Sequence, residues 1–148
     1  MSPGSEFKDV ETSISHITAP TYYRLALPEL LQDADCCLYL DGDTIVQEDL
    51  SQIIDSLSSD DLIAGVKAAA YYWPEKNREA NRERLGISDF SSYVNAGVLA
   101  MNLQLMRELE CPSAFKALVP LGFSSQDQDI INKVCHDAVA SCLRVSTL

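Results

Sequence analysis

Cys36-Cys37-Leu38-Tyr39-Leu40-Asp41-Gly42-Asp43 is a short apolar run that ends abruptly in two carboxylates. A continuous run of this length, without polar alternation, reads as a strand buried on both faces. Upstream, Tyr22, Leu25, Ala26 and Leu30-Leu31 recur at helical spacing, so a helix is expected over Thr21 to Leu31. Thr18 or Thr21 would cap it, and Pro28 would end or kink its first stretch. Downstream, Leu50, Ile53, Ile54 and Leu57 mark a short helix, and Leu62 to Val66 a second strand. The run from Glu75 to Arg84 mixes acids and bases and reads as a solvated helix or excursion. Ala96 to Met101 is a third strand candidate, and Leu103 to Leu109 a helix bounded by Pro112. A last helix starts at Ser124 and Ser125, with Asp127 and Asp129 in its first turn, where negative charge complements the helix dipole. Strands alternating with helices predict an α/β layer structure with a largely parallel sheet.

Bulk properties narrow the function classes. The 148 residues make one domain with a real core, and 47% hydrophobic against 22% charged content is that of a globular protein. A formal charge of -11 repels phosphate backbones, so nucleic-acid binding and adhesion to anionic membranes are disfavoured. No stretch approaches the length of a transmembrane helix and no signal peptide is evident, which predicts a cytoplasmic protein. The five cysteines, odd in number and without a C-x-x-C pair, read as reduced structural thiols. Residues 1–7 have the look of a cloning scar, leaving 8–148 as a single domain.

In an open α/β sheet, ligands bind beyond the carboxyl ends of the strands, where Asp41 and Asp43 fall. Two such carboxylates repel unless a cation neutralises them, and hard cations such as Mn²⁺ and Mg²⁺ favour oxygen ligands. Gly42 between them leaves room for close approach. An ordinary acidic turn, with Asp49 starting the next helix, explains the same residues equally well. A D-x-D phosphatase is a further reading, with Asp41 as nucleophile and Asp43 as general acid. Its later Lys and acidic pair are out of order here, with Asp60-Asp61 ahead of Lys67.

Three blocks carry a resemblance. They are Thr21-Tyr22-Tyr23-Arg24-Leu25 with Leu38 to Val46, then Tyr93-Val94-Asn95-Ala96-Gly97-Val98-Leu99, then Ser125-Gln126-Asp127-Gln128-Asp129. In this order, across His16 to Asn132, they resemble glycosyltransferase family 8, which includes glycogenin and bacterial lipopolysaccharide galactosyl- and glucosyltransferases. The resemblance implies a Rossmann-like α/β fold of the GT-A type and retaining transfer of a hexose from a UDP-sugar to a carbohydrate or lipid-linked saccharide acceptor. It implies that Asp41 and Asp43 hold Mn²⁺ or Mg²⁺ against the diphosphate. Arg24, Asn95, Ala96 and Gly97 would bind the donor, Asp127 would bind sugar hydroxyls, and Gln128 would sit near the anomeric carbon. An amide is a feeble nucleophile, so charge stabilisation suits Gln128 better than covalent attack.

The departures are as informative. Relative to the family, the N-terminal nucleotide-binding strands and a C-terminal H-x-x-G-x-x-K-P-W segment with the third metal ligand are missing, and neither His16 nor His136 is expected to replace that ligand. The end, Ser141 to Leu148, suggests a truncated or frame-shifted tail. On this reading the fold is incomplete, the isolated chain is inactive, and open apolar faces favour a homo-oligomer. The full-length protein would be cytoplasmic or peripheral to the inner membrane. A non-catalytic remnant that binds a partner through an exposed sheet edge is the alternative.

Overall fold

The computed structural model describes residues 19–68, 74–87 and 89–140. Residues 1–7, Thr18, His16, Tyr71, Cys142 and the 141–148 tail lie outside these. Elements follow in the order α1 (Leu27–Leu30), β1 (Cys36–Leu40), α2 (Ser51–Asp55), β2 (Ile63–Lys67), α3 (Glu75–Leu85), β3 (Val94–Asn102), α4 (Leu103–Glu108), α5 (Cys111–Leu118) and α6 (Gln126–Cys135). Short 3-10 segments cover Ala19–Ala26, Phe90–Ser92 and Val119–Leu121.

Strands β1, β3 and β2 form a sheet in that order, and β3 runs antiparallel to both neighbours. The expectation of a largely parallel sheet is therefore corrected. Continuous apolarity reports burial on two faces and carries no information on direction. Direction was decided by the return of the chain after α3, which inserts β3 between two strands that share one orientation. β1 is likewise half-buried rather than buried on both faces, because it lies at an edge of the described sheet.

β3 is the central element. Leu99 and Met101 pack with Tyr22, Leu25, Phe115, Ile130 and Ile131 on one face. Ala100 packs with Ile53 and Ala64 on the other, against Leu38, Leu50 and Val98. Two covered faces explain why β3 reads as unbroken apolar sequence.

Its pairing with β2 is interrupted. Gly65 opposes Leu99 and Lys67 opposes Val94, so two steps along β2 span five along β3. On the β1 side the ladder stays regular through Leu40 and Val98, and the Asp41 N–H continues it to the Gly97 carbonyl at 2.8 Å. The excess residues bow out of the β2 ladder, and Val94 and Ala96 join the same core as Leu99 and Met101 despite the opposite parity.

Both prolines fall where the preceding segment has ended, Ala19–Ala26 before Pro28 and α4 before Pro112, and each also opens the next helix. Pro28 and Pro112 each sit in the first turn of a helix, α1 and α5, where a missing N–H costs nothing. The segment before α1 is 3-10 rather than α. Asp49 accepts the Ser51 N–H at 2.8 Å and so helps to start α2. Asn102 caps α4 by accepting the Leu105 N–H at 3.0 Å. Cys36, Cys37, Cys111 and Cys135 are free thiols, the last two buried in the core. No described helix is long and apolar enough to cross a membrane.

Candidate active site

The carboxyl end of β1, the bowed part of β3 and the first turn of α6 converge on a polar, open cavity of about 200 Å³. It is lined by Arg24, Asp41, Asn95, Ala96, Gly97, Ser125, Asp127 and Gln128. Residues up to 104 positions apart in sequence thus share one wall, and seven of these eight are those picked out by the three sequence blocks as site candidates; Ser125 joins them.

Arg24 organises the floor. Its Nη1 donates to the Ala96 carbonyl at 2.5 Å and its Nη2 to Asp41 Oδ1 at 3.0 Å. Its Nε lies 2.7 Å from Asp127 Oδ2, and the guanidinium sits 4.4 Å from the Tyr39 ring centroid. The two Nη groups donate in fixed directions to two acceptors, as a lysine could not, while buried Nε and Asp127 Oδ2 meet as an ion pair without hydrogen-bond geometry. With only 10% of its side chain exposed, Arg24 is not a helix-surface arginine. Its Nη groups donate to protein oxygens and its charge pairs with Asp127, so it links the three segments as well as lining the cavity.

Tyr39 is a contributor that sequence reading missed. Its hydroxyl donates to Asp41 Oδ1 at 3.0 Å while its ring lies under Arg24. A tyrosine inside an apolar run gives no signal except its position two residues before the acid.

Asp41 and Asp43 are separated in space. Asp41 lines the cavity, whereas Asp43 is exposed on the turn after β1 and is not among the lining residues. Asp41 Oδ1 is taken by Arg24 and Tyr39, and Oδ2 points over Gly97. A Cβ at Gly97 would lie 2.7 Å from Asp41 Oδ2 and 2.9 Å from Asn95 Oδ1, so only glycine keeps this space open. Asn95 Oδ1 itself accepts the Gly97 N–H at 2.7 Å, which holds the bowed backbone.

Asp127 is buried, 5% exposed, at the start of α6. Burial pushes its carboxyl up to about 6, and outweighs the lowering by Arg24 and by the Asp127 and Gln128 N–H groups. Gln128 Oε1 accepts the Ala96 N–H at 3.1 Å. Asp129, read from sequence as a partner for the helix dipole, is fully buried and accepts from Tyr93 (2.6 Å), Arg84 (2.9 Å) and the Ser125 N–H (2.9 Å). His136 lies away from the cavity, 3.2 Å from Asp137.

The sequence model of glycosyl transferase family 8 matches residues 4–143. General stress protein A of Bacillus subtilis (strain 168) is 30% identical over 112 residues, covering 70% of this chain and 37% of that protein. Among solved structures, the bifunctional glycosyltransferase WbbM in its apo form has a TM-score of 0.77 at 26% identity, over 88% of this chain and 25% of its own. The galactosyltransferase LgtC, solved with donor and acceptor sugar analogs, has a TM-score of 0.73 at 30% identity, over 91% of this chain and 48% of its own. The chain thus spans less than half the length of each of these relatives. The order of the three blocks, their convergence on one cavity and the match along the chain place the protein in glycosyl transferase family 8, with the α/β GT-A type fold of its solved neighbours, and not among D-x-D phosphatases.

Proposed function

We propose that the cavity receives the hexose of a UDP-sugar, and that the protein serves transfer of that hexose, with retention, to a carbohydrate or lipid-linked saccharide acceptor at the cytoplasmic side. The observation that carries this reading is the composition of the cavity. Amide, carboxylate and guanidinium groups converge without an apolar wall, in a volume below that of a drug-sized pocket. A single sugar ring, with hydroxyls in all directions, suits such a lining. LgtC, which shares the fold, is a galactosyltransferase seen with sugar analogs.

Each residue then has a task. Asn95 offers a donor and an acceptor to sugar hydroxyls. Asp127, ionised above about pH 6, accepts from hydroxyls that replace water in the cavity. Gly97 lets the ring approach the backbone. The Gln128 amide oxygen, already on the cavity wall beside Ala96, has a second lone pair to stabilise positive charge at the anomeric carbon as the UDP departs. The departing phosphate guides the acceptor to the face it leaves, which accounts for retention.

The oxygens over Gly97 fit a divalent cation in part. Asp41 Oδ2 and Asn95 Oδ1 are hard donors facing one space, and Asp43 follows on the adjacent turn. No group of three metal-binding side chains exists among the described residues, so phosphate oxygens of the donor would complete the shell. Asp41 and Asp43 would hold Mn²⁺ or Mg²⁺, which when bound offsets charge on the leaving diphosphate.

Calorimetry of the chain with UDP and Mn²⁺ tests the site directly. Binding that needs the metal and is lost in Asp41→Ala is expected; no binding by folded protein would favour a non-catalytic interaction module. Turnover is not expected from these 148 residues, because no H-x-x-G segment supplies a third ligand. UDP release from UDP-glucose or UDP-galactose with Mn²⁺, abolished in Asp41→Ala, would contradict that.

A further inference from the structure

Behind the cavity wall, outside its lining, lies a chain of polar contacts that ends on Gln128. Arg84 comes from α3, the charged helix that sequence reading assigned to solvent. Its Nη2 is 2.9 Å from Asp129 Oδ2, and its guanidinium lies over the Phe123 ring at 5.4 Å. Asp129 Oδ2 also accepts the Ser125 N–H at 2.9 Å, which leaves Oδ1 to take the Tyr93 hydroxyl proton at 2.6 Å. Tyr93 is 1% exposed, and burial together with Asp129 pushes its pKa up, so the phenol keeps its proton. Gln128 Nε2 approaches the Tyr93 oxygen at 3.4 Å, and the Ser125 hydroxyl also turns a donor to it.

Donor and acceptor logic fixes the direction of the whole chain. The Ala96 N–H can only donate, so the Gln128 atom 3.1 Å away must be the amide oxygen. The amide NH₂ must then face Tyr93, whose oxygen is free to accept because its proton is committed to Asp129. Turning the amide over would set NH₂ against N–H at Ala96. We propose that Tyr93, held by Asp129 and Arg84, is a positioning residue that fixes the Gln128 side-chain amide with its oxygen at the cavity wall. The orientation stands on this network alone. Its use, an oxygen presented to the anomeric carbon, rests on the donor-site reading above.

Asp129→Asn makes the logic testable without changing shape. The two donors on Oδ2 would draw the asparagine oxygen, which turns its NH₂ toward Tyr93 and reverses the phenol. The phenol proton would then be shared between Gln128 and the Ser125 hydroxyl, and whenever it turns to Gln128 neither amide orientation satisfies both Tyr93 and Ala96. Tyr93→Phe removes the acceptor outright.

The experiment is solvent exchange of the Gln128 side-chain NH₂ in the ¹⁵N-labelled 148-residue chain, the resonance being the one lost in Gln128→Glu. Exchange in the wild type should be slower than in Tyr93→Phe by about tenfold, the size of one lost hydrogen bond, and slower than in Asp129→Asn by a smaller factor. The Asn132 side-chain amide, held by the Val94 and Gln128 carbonyls at 2.8 Å, should keep its protection in both variants. Equal loss at Asn132 and Gln128 would show general loosening and overturn the proposal. So would a wild-type Gln128 amide that exchanges like free glutamine, a result needing no variant to fold. Calorimetry with UDP and Mn²⁺ on the same sample separates the two readings: a protected Gln128 amide without binding sinks the donor site and leaves the positioning intact.

Discussion

Asp127 shows how burial and pairing compete at one carboxyl. It touches a guanidinium at 2.7 Å, yet its pKa rises from 3.8 to about 6 because desolvation is the larger effect. Between pH 3.8 and 6 the folded chain therefore holds a proton that the unfolded chain has released. The unfolded state binds fewer protons in that window, so stability falls as pH rises through it, by about 1.4 kcal/mol per unit and about 3 kcal/mol in all. Asp49 and Asp89 act oppositely and elsewhere, since Ser51 and Ser91 hold their carboxyls below the ordinary value and favour folding above it. Urea midpoints measured from pH 4 to 7 should decline for the wild type and flatten in Asp127→Asn. An unchanged slope in that variant would locate the titrating group elsewhere. Neither the raised pKa nor its cause was legible in the sequence. Asp127 in a first helical turn suggests only dipole stabilisation, and what surrounds it comes from Arg24 and the sheet.

At the scale of elements, β3 and α6 are joined by a side chain that imitates a strand. Asn132 Oδ1 accepts the Val94 N–H at 2.7 Å, and its Nδ2 donates to the Val94 carbonyl at 2.8 Å. This pairing falls where β3 bows away from β2, at the Val94 end of the interrupted register. Asn132→Ala would strand two buried backbone groups, at a cost of about 2–4 kcal/mol in chemical denaturation. A change below about 0.5 kcal/mol would mean that water reaches Val94. The positions of α2, β2, β3, α4 and α6 followed from apolar spacing, because each has a face or two faces in the core. The bow did not. The strand read from sequence begins only at Ala96, and pairing on both sides was needed to show that it starts at Val94 and which ladder it leaves. α5 was missed because Pro112 was taken as a boundary, although proline starts a helix as readily as it ends one.

For the whole molecule, the open features are the free edge of β1 among the described strands and a set of exposed apolar side chains. Ile45 is 83% exposed, Val46 51%, Leu109 59% and Leu121 64%. Exposed apolar area and an unpaired strand edge both favour association. Sedimentation velocity should show a mass that grows with concentration and returns on dilution. A single monomeric species throughout would remove the case for a homo-oligomer. By itself the sequence determined the family, the α/β class and which short blocks carry the chemistry, because those depend on residue type, order and apolar period, all local quantities. Only the tertiary structure decided that the sheet is antiparallel about β3, that Asp41 enters the cavity while Asp43 stays exposed, and that Arg24 and Tyr93 brace the groups beside them. Strand direction, bulges and the burial of a charge arise from contacts between segments far apart in the chain, and no local pattern encodes the distance between Arg24 and Asp127.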